Sequence, residues 1–312
     1  MPGATPWTAN DMPDLAGQTI IVTGGNSGIG YEAALQFARH NADTILACRS
    51  LEKANAAAKQ IVAAYPSAKV EVMELDLSSL ASIRRFADAF HSSHRSLRAL
   101  VNNAGVMAPP YRKTEDGFEM QFGTNHLGHF ALTGLLLDTL LATPAARVVN
   151  VSSGAHRMGK IRFDDLEWKR GYYKWFAYGQ SKLANLLFTY ELQRRADAAG
   201  TKLLAVGCHP GYAATNLQSA GPRMSGASAM ESFWSMMNRT FAQSAAMGAL
   251  PTLYAAVAPD VHSGDYIGSG GFAEMWGPPA KVNSSAAAKD PAVAKRLWEV
   301  SEEMTKVHYA FK

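Results

Sequence analysis

The sequence predicts an α/β fold: a doubly wound parallel sheet with helices on both faces, a three-layer α/β/α sandwich in one domain. Three observations lead there. Short β-branched runs alternate with helical stretches over roughly the first 210 residues. Those runs are almost continuously apolar, as strands covered on both faces are. The first of them ends in a glycine-rich turn that opens directly into a helix.

The elements follow in order. Gln18 to Thr23 is the first strand, Gly24 to Gly30 the turn, and Tyr31 to His40 has helical spacing. Asp43 to Cys48 is a second strand. Leu51 to Ala64 is an alanine-rich helix stopped by Pro66. Lys69 to Leu75 alternates like a third strand and ends at Asp76. Ser78-Ser79 then caps a helix through His91. Ala99 to Asn102 is a short fourth strand before Asn103-Ala104-Gly105. A loop with Pro109 and Pro110 leads to a long helix predicted over Thr114 to Leu141. Arg147 to Val151 is a fifth strand. A polar and aromatic segment, Ser153 to Phe176, precedes a helix ending near Gly200, and Lys202 to Cys208 is a sixth strand closed by His209-Pro210-Gly211. Helices over Ala245 to Ala258 and Pro291 to Thr305 complete the reading. The whole of 1–312 reads as one domain, with a lid over about 217–245 and a C-terminal extension over about 260–312.

Composition narrows the class. The chain has 312 residues, 47% hydrophobic and 18% charged, which suits a globular protein with a large core. The net charge of +4 is small and scattered, with no dense Lys/Arg tract, so nucleic acid is not an expected partner. No apolar run approaches the length of a membrane span, and no signal peptide is evident. The two cysteines, Cys48 and Cys208, end apolar runs and read as buried free thiols of a reducing, cytoplasmic setting.

Chemistry concentrates at a few places. Tyr178 and Lys182 stand at i and i+4 of a helix, so phenol and ammonium share one face. A close cation stabilises a phenolate, which makes the pair a candidate proton-transfer device. In the turn, Gly24, Asn26, Ser27, Gly28, Ile29 and Gly30 bring backbone amides and a helix N-terminus toward a pyrophosphate. No Lys-Ser or Lys-Thr follows the last glycine, so the turn is not a P-loop. At the tip of the second strand stands Arg49 rather than an acid. A guanidinium there pairs with a ribose 2′-phosphate, which predicts NADP(H) over NAD(H). His126 and His129 lack a third ligand at suitable spacing, so no metal is expected.

Thr23-Gly24-Gly25-Asn26-Ser27-Gly28-Ile29-Gly30, Asn102-Asn103-Ala104-Gly105, Asn125, Ser152-Ser153, Tyr178-Gly179-Gln180-Ser181-Lys182 and Pro210-Gly211 occur in this order. Together they resemble the short-chain dehydrogenase/reductase family. The wording Ala47-Cys48-Arg49, Thr124 to Phe130 and Ser181 to Asn185 resembles its retinol dehydrogenase-like and protochlorophyllide reductase-like branch. The resemblance implies a Rossmann-type fold and a site assigned residue by residue. Tyr178 would be the general acid/base, Lys182 would lower its pKa and hold the nicotinamide ribose, and Ser153 would hydrogen-bond the substrate carbonyl. Asn125 would hold a water behind Lys182. Asp76 and Leu77 would sit against the adenine, Asn103, Ala104 and Gly105 would line the cleft, and Pro210, Gly211 and Thr215 would meet the nicotinamide end.

The stretch between Ser153 and Tyr178 is longer than in compact members of the family. It carries Phe163, Trp168, Tyr172, Tyr173, Trp175 and Phe176, and reads equally as a substrate wall or a packed surface loop. Met230, Phe233, Trp234, Met237 and Phe241 form a helical stripe, read as core packing or as a lid hinged near Gly221 and Gly226. The expected activity is NADP(H)-dependent interconversion of a small lipophilic carbonyl compound and its alcohol. The alternatives are reduction of a C=C bond and a catalytically silent NADP(H)-sensing protein. Homodimer and monomer both stay open.

Overall fold

The computed structural model describes residues 6–212 and 243–311. Its strands are β1 (Thr19–Thr23), β2 (Asp43–Cys48), β3 (Lys69–Glu74), β4 (Ala99–Asn102), β5 (Arg147–Val151), β6 (Leu204–Cys208), β7 (Tyr266–Ser269) and β8 (Pro279–Lys281). They form one sheet in the order β3-β2-β1-β4-β5-β6-β7-β8. Each neighbouring pair is parallel except β7 and β8. The winding reverses between β1 and β4, which opens a crevice beyond their C-terminal ends. Val22 lies level with Leu46 of β2 and Val101 of β4, so the three strand tips end together at that crevice.

The helices are α1 (Gly28–Arg39), α2 (Leu51–Ala64), α3 (Leu80–Ser93), α4 (Gly128–Leu135), α5 (Leu137–Ala142), α6 (Lys174–Ala198), α7 (Ala245–Val257) and α8 (Pro291–Thr305). Strand alternation sorts them into two layers. Ile20 and Val22 of β1 point into a core with Phe37 of α1, Ile61 of α2 and Leu253 of α7. Ile21 between them points into a core with Phe86 of α3, Phe130 of α4 and Phe188 of α6. Caps set the helix starts. Ser50 accepts from the Lys53 amide before α2, and Ser79 from the Ser82 amide before α3. Asp290 accepts from Ala292 and Val293 before α8, with Pro291 at its first position.

The helix expected over Thr114 to Leu141 is shorter and interrupted. Thr114 instead begins a tight turn: its amide donates to the Phe118 carbonyl, and Gly117 has φ +87°. Helical structure starts at Met120, where the Glu119 carboxylate accepts from the Gln121 and Phe122 amides. The segment Gly123–Leu127 is a π-helical turn. Gly128 then lets the chain pass so close to Leu77 that a β-carbon would lie 2.4 Å from its carbonyl oxygen. β7 and β8 were not foreseen; they are short, and Gly268, Gly270 and Gly271 obscure any strand pattern.

α8 covers the outer side of α4 and α6. Trp298, 2% exposed, meets the rings of Phe130 at 5.1 Å and Tyr309 at 4.4 Å, with the Arg195 guanidinium 4.4 Å above it. The Tyr309 hydroxyl donates to the Phe130 carbonyl at 2.6 Å. Among the described residues no helix is long and apolar enough to cross a membrane.

Candidate active site

The crevice is bounded on one side by the glycine turn. Gly24 and Gly28 have φ of +66° and +55°, where a side chain would strain the backbone. At Gly30 the limit is space: a β-carbon would sit 2.5 Å from both Asn103 Nδ2 and the Gly24 carbonyl oxygen. Ser27 caps α1 without a side-chain bond, so its hydroxyl does not occupy the first-turn amides. A short cradle with outward amides and a helix N-terminus fits a phosphate-bearing ligand. Asn103 is tied to the turn by Nδ2 donating to the Thr23 carbonyl at 2.8 Å.

The residues expected to meet an adenosine lie along the same edge. Arg49 follows β2, is exposed, and makes no hydrogen bond or ion pair among the described residues. The Asp76 carboxylate accepts from the amide and hydroxyl of Ser78 at 2.9 and 2.6 Å, which fixes the turn carrying buried Leu77.

Across the crevice, α6 presents Tyr178 and Lys182, both almost fully buried. Ser153 follows β5, and its side chain stands beside the Tyr178 phenol, whose ionised form it favours. Burial dominates the phenol and pushes its pKa up to about 12, with Ser153 acting the other way. At neutral pH the phenol therefore holds its proton. Lys182 Nζ donates to the Val151 carbonyl at 3.0 Å and lies 5.7 Å from the Tyr178 ring centre. Burial lowers its pKa to about 8. The two groups thus share one face of α6, yet the ammonium does not by itself bring the phenol down. Gly105 lies opposite, where a β-carbon would be 3.7 Å from that ammonium.

Asn125 lies in the π-helical turn. Its Oδ1 accepts from the Val106 amide at 2.7 Å, and its Nδ2 donates to the Val106 carbonyl and the Ser181 hydroxyl, both at 2.9 Å. Both ends of the side chain are engaged, and the main-chain carbonyl faces His129 Nδ1 at 3.0 Å. Pro210 and Gly211 follow β6. Gly211 has φ +63°, and Pro210 accepts from Gln243 Nε2 at 2.7 Å. Thr215 and the stripe from Met230 to Phe241 lie outside the described residues.

The aromatic segment before Tyr178 divides. Trp168 is buried beneath the Arg162 guanidinium at 4.3 Å, and the Tyr172 hydroxyl donates to the Pro109 carbonyl. Tyr173, Trp175 and Phe176 are exposed, with Trp175 edge-on to the Tyr178 ring at 6.5 Å. Met158, also exposed, lies against Gly179. The first half is packed loop, and the second half is an exposed apolar surface that reaches the Tyr178 ring through Trp175.

Two features escaped sequence reasoning. One is the hydrogen-bonded link between His129 and Thr23, with Nε2 and Oγ1 2.9 Å apart; no local signal joins positions so far apart. The other is an ion-pair cluster in which Glu274 meets Arg157 at 3.0 Å and His209 at 3.1 Å, tying the Pro210 turn to the β7–β8 loop. Among the described residues no group of three His, Cys, Asp or Glu side chains could hold a metal ion.

A phosphate cradle facing a buried proton donor across the switch point of a parallel sheet defines a class, the dinucleotide-dependent oxidoreductases. The particular family follows from comparison. The family model for the short chain dehydrogenases matches residues 18–224. Retinol dehydrogenase 12 of Mus musculus is 42% identical over 95% of this chain and 88% of its own length. Retinol dehydrogenase 13 of Homo sapiens is 44% identical over 93% and 85%. The crystal structure of an uncharacterised protein from Mycobacterium paratuberculosis superposes with a TM-score of 0.81 at 45% identity, covering 98% of this chain and all of that one. The chain belongs to the short-chain dehydrogenase family, within its retinol dehydrogenase-like branch.

Proposed function

We propose that the protein is an NADP(H)-dependent oxidoreductase that interconverts a small lipophilic carbonyl compound and its alcohol. The observation that carries this reading is the buried Tyr178 phenol with Ser153 beside it and Lys182 on the same helix face, set across the crevice from the glycine cradle. When bound, the cofactor supplies the hydride that adds to the carbonyl carbon. Tyr178 gives its phenolic proton to the carbonyl oxygen, and Ser153 donates a second hydrogen bond that holds that oxygen in place. Lys182 adds positive charge beside the developing alkoxide, close to the cleft wall at Gly105. In the reverse direction Tyr178 takes the alcohol proton. The exposed Arg49 guanidinium, without a partner among the described residues, supports the choice of NADP(H) by offering one to a 2′-phosphate. Exposed Trp175 beside the Tyr178 ring and exposed Met158 against the neighbouring Gly179 support an apolar substrate.

The test is turnover of a panel of apolar aldehydes and ketones with NADPH deuterated at the transferable position. Label on a carbinol carbon is expected. Label on a saturated carbon of a former C=C bond would replace carbonyl reduction with alkene reduction. Tyr178→Phe should lower turnover by about 10²–10⁴-fold and leave NADPH binding in place. Comparable turnover by this variant would remove Tyr178 from the mechanism.

A further inference from the structure

His129 belongs to α4 and is 1% exposed. Both of its ring nitrogens are engaged. Nδ1 lies 3.0 Å from the Asn125 carbonyl oxygen, and Nε2 lies 2.9 Å from Thr23 Oγ1. The partners determine the tautomer. A carbonyl only accepts, so Nδ1 carries the hydrogen. Burial holds the imidazole neutral, with a pKa lowered to about 4, so Nε2 offers a lone pair. Thr23 therefore donates its hydroxyl proton to Nε2, the nearer of its two acceptors, the other being the Val101 carbonyl at 3.3 Å. Its oxygen is then left to accept, and it does so from the Asn103 and Ala104 amides, both at 2.9 Å. Every donor and acceptor in this buried group is used.

The two arms of the imidazole end in different halves of the site. Through Thr23 it reaches Asn103 and Ala104, which face the glycine turn: a β-carbon at Gly24 would meet Ala104 at 3.0 Å. Through the Asn125 peptide it reaches the π-helical turn, whose carboxamide continues to Ser181, which in turn donates to the Tyr178 carbonyl at 2.8 Å. We propose that His129 is a positioning residue that couples the cofactor-facing loop at Asn103 to the proton-transfer residues on α6, one arm for each. The proposal rests on the cofactor reading above.

Amide substitutions separate the arms. An Asn at 129 places an N–H near the Nδ1 position and keeps the Asn125 arm. A Gln places a carbonyl oxygen near the Nε2 position and keeps the Thr23 arm. Equilibrium binding of NADPH, followed by tryptophan fluorescence, and kcat at saturating NADPH with an apolar aldehyde are the two readouts. His129→Asn should weaken NADPH binding by about 3–10-fold with kcat within about twofold of wild type. His129→Gln should lower kcat by about 3–10-fold with the NADPH Kd within about twofold. Thr23→Val should reproduce the binding loss, and Thr23→Val combined with His129→Asn should bind no more weakly than the weaker single variant. Equal shifts of both quantities in both amide variants, no shift in either, or an additive double variant would each overturn the proposal. Should a histidine variant fail to fold, an unchanged NADPH Kd in Thr23→Val overturns it, and a weakened Kd supports the cofactor arm. Wild-type protein that does not bind NADPH sinks the cofactor reading and the coupling together, whereas wild-type binding without the split sinks the coupling alone.

Discussion

Gly30→Ala probes whether the glycine turn is a ligand cradle. The added methyl would lie 2.5 Å from Asn103 Nδ2 and 2.5 Å from the Gly24 carbonyl oxygen. Ordinary contacts require roughly 0.5–0.9 Å more. Neither neighbour can retreat freely. Asn103 Nδ2 is held by the Thr23 carbonyl at 2.8 Å, and the Gly24 amide is held by the Ala47 carbonyl at 2.8 Å. Overpacking of this kind costs about 1–3 kcal/mol, which lowers Tm by about 2–10 °C. The diagnostic quantity is the further shift with NADPH. Ligand at 100 times Kd stabilises the wild type by about 2.7 kcal/mol. If the displaced turn raises Kd 100-fold, the same concentration gives only about 0.4 kcal/mol. Thermal unfolding with and without NADPH measures both effects. Gly154→Ala is the control, since a β-carbon there meets nothing within 4 Å. A full wild-type shift with NADPH in Gly30→Ala would refute the cradle, because a pyrophosphate could not lie against a turn that had moved without consequence.

Arg49→Asp should reverse cofactor preference, weakening NADPH by about 1.5–3 kcal/mol while sparing NADH; an unchanged ratio of kcat/KM values would remove Arg49 as the selector. Trp298→Ala should destabilise the fold by about 3–5 kcal/mol in urea titration, because the ring is buried among Phe130, Phe188 and Tyr309. A loss below about 1 kcal/mol would mean that α8 does not hold α4 and α6 together. Burial lowers the pKa of His126 to about 3 and that of His129 to about 4. Both stay neutral in the fold while unfolded histidines take a proton below about pH 6.5, so the unfolded state binds more protons there. Their contribution is complete above pH 6.5 and falls away as pH drops toward those values. The urea midpoint should therefore fall between pH 7.5 and pH 5, with a shallower fall in His126→Gln; a flat profile would contradict it.

The parallel core was legible because its strands are apolar on both sides and its helices carry polar caps. β2, β4 and β5 end where the pattern ends, at Cys48, Asn102 and Val151. Tyr178 and Lys182 were legible for a similar reason, since helical spacing alone places them on one face. What failed was structure set by distant partners. Thr114 looks like the start of a helix until its amide is seen donating to Phe118. The π-helical turn at Asn125 depends on Val106 and Ser181, and the second-half strands depend on pairing that four-residue and three-residue runs do not advertise. The phenol also reads differently in place. Sequence spacing suggests a pKa lowered by Lys182, whereas burial raises it and Lys182 itself turns to Val151.

The outer strands of the sheet have a consequence for association. β3 carries exposed Lys69, Glu71 and Glu74, and Lys69 pairs with Asp43 at 3.2 Å. β8 at the opposite margin opens with Pro279 and closes with Lys281, whose ammonium meets Asp265 at 2.9 Å. Charge at one margin and an imino acid at the other deny a foreign strand the bare ladder it would need to extend the sheet. In the folded state, contact between copies is thereby steered away from these two margins of the described sheet and toward helices and loops.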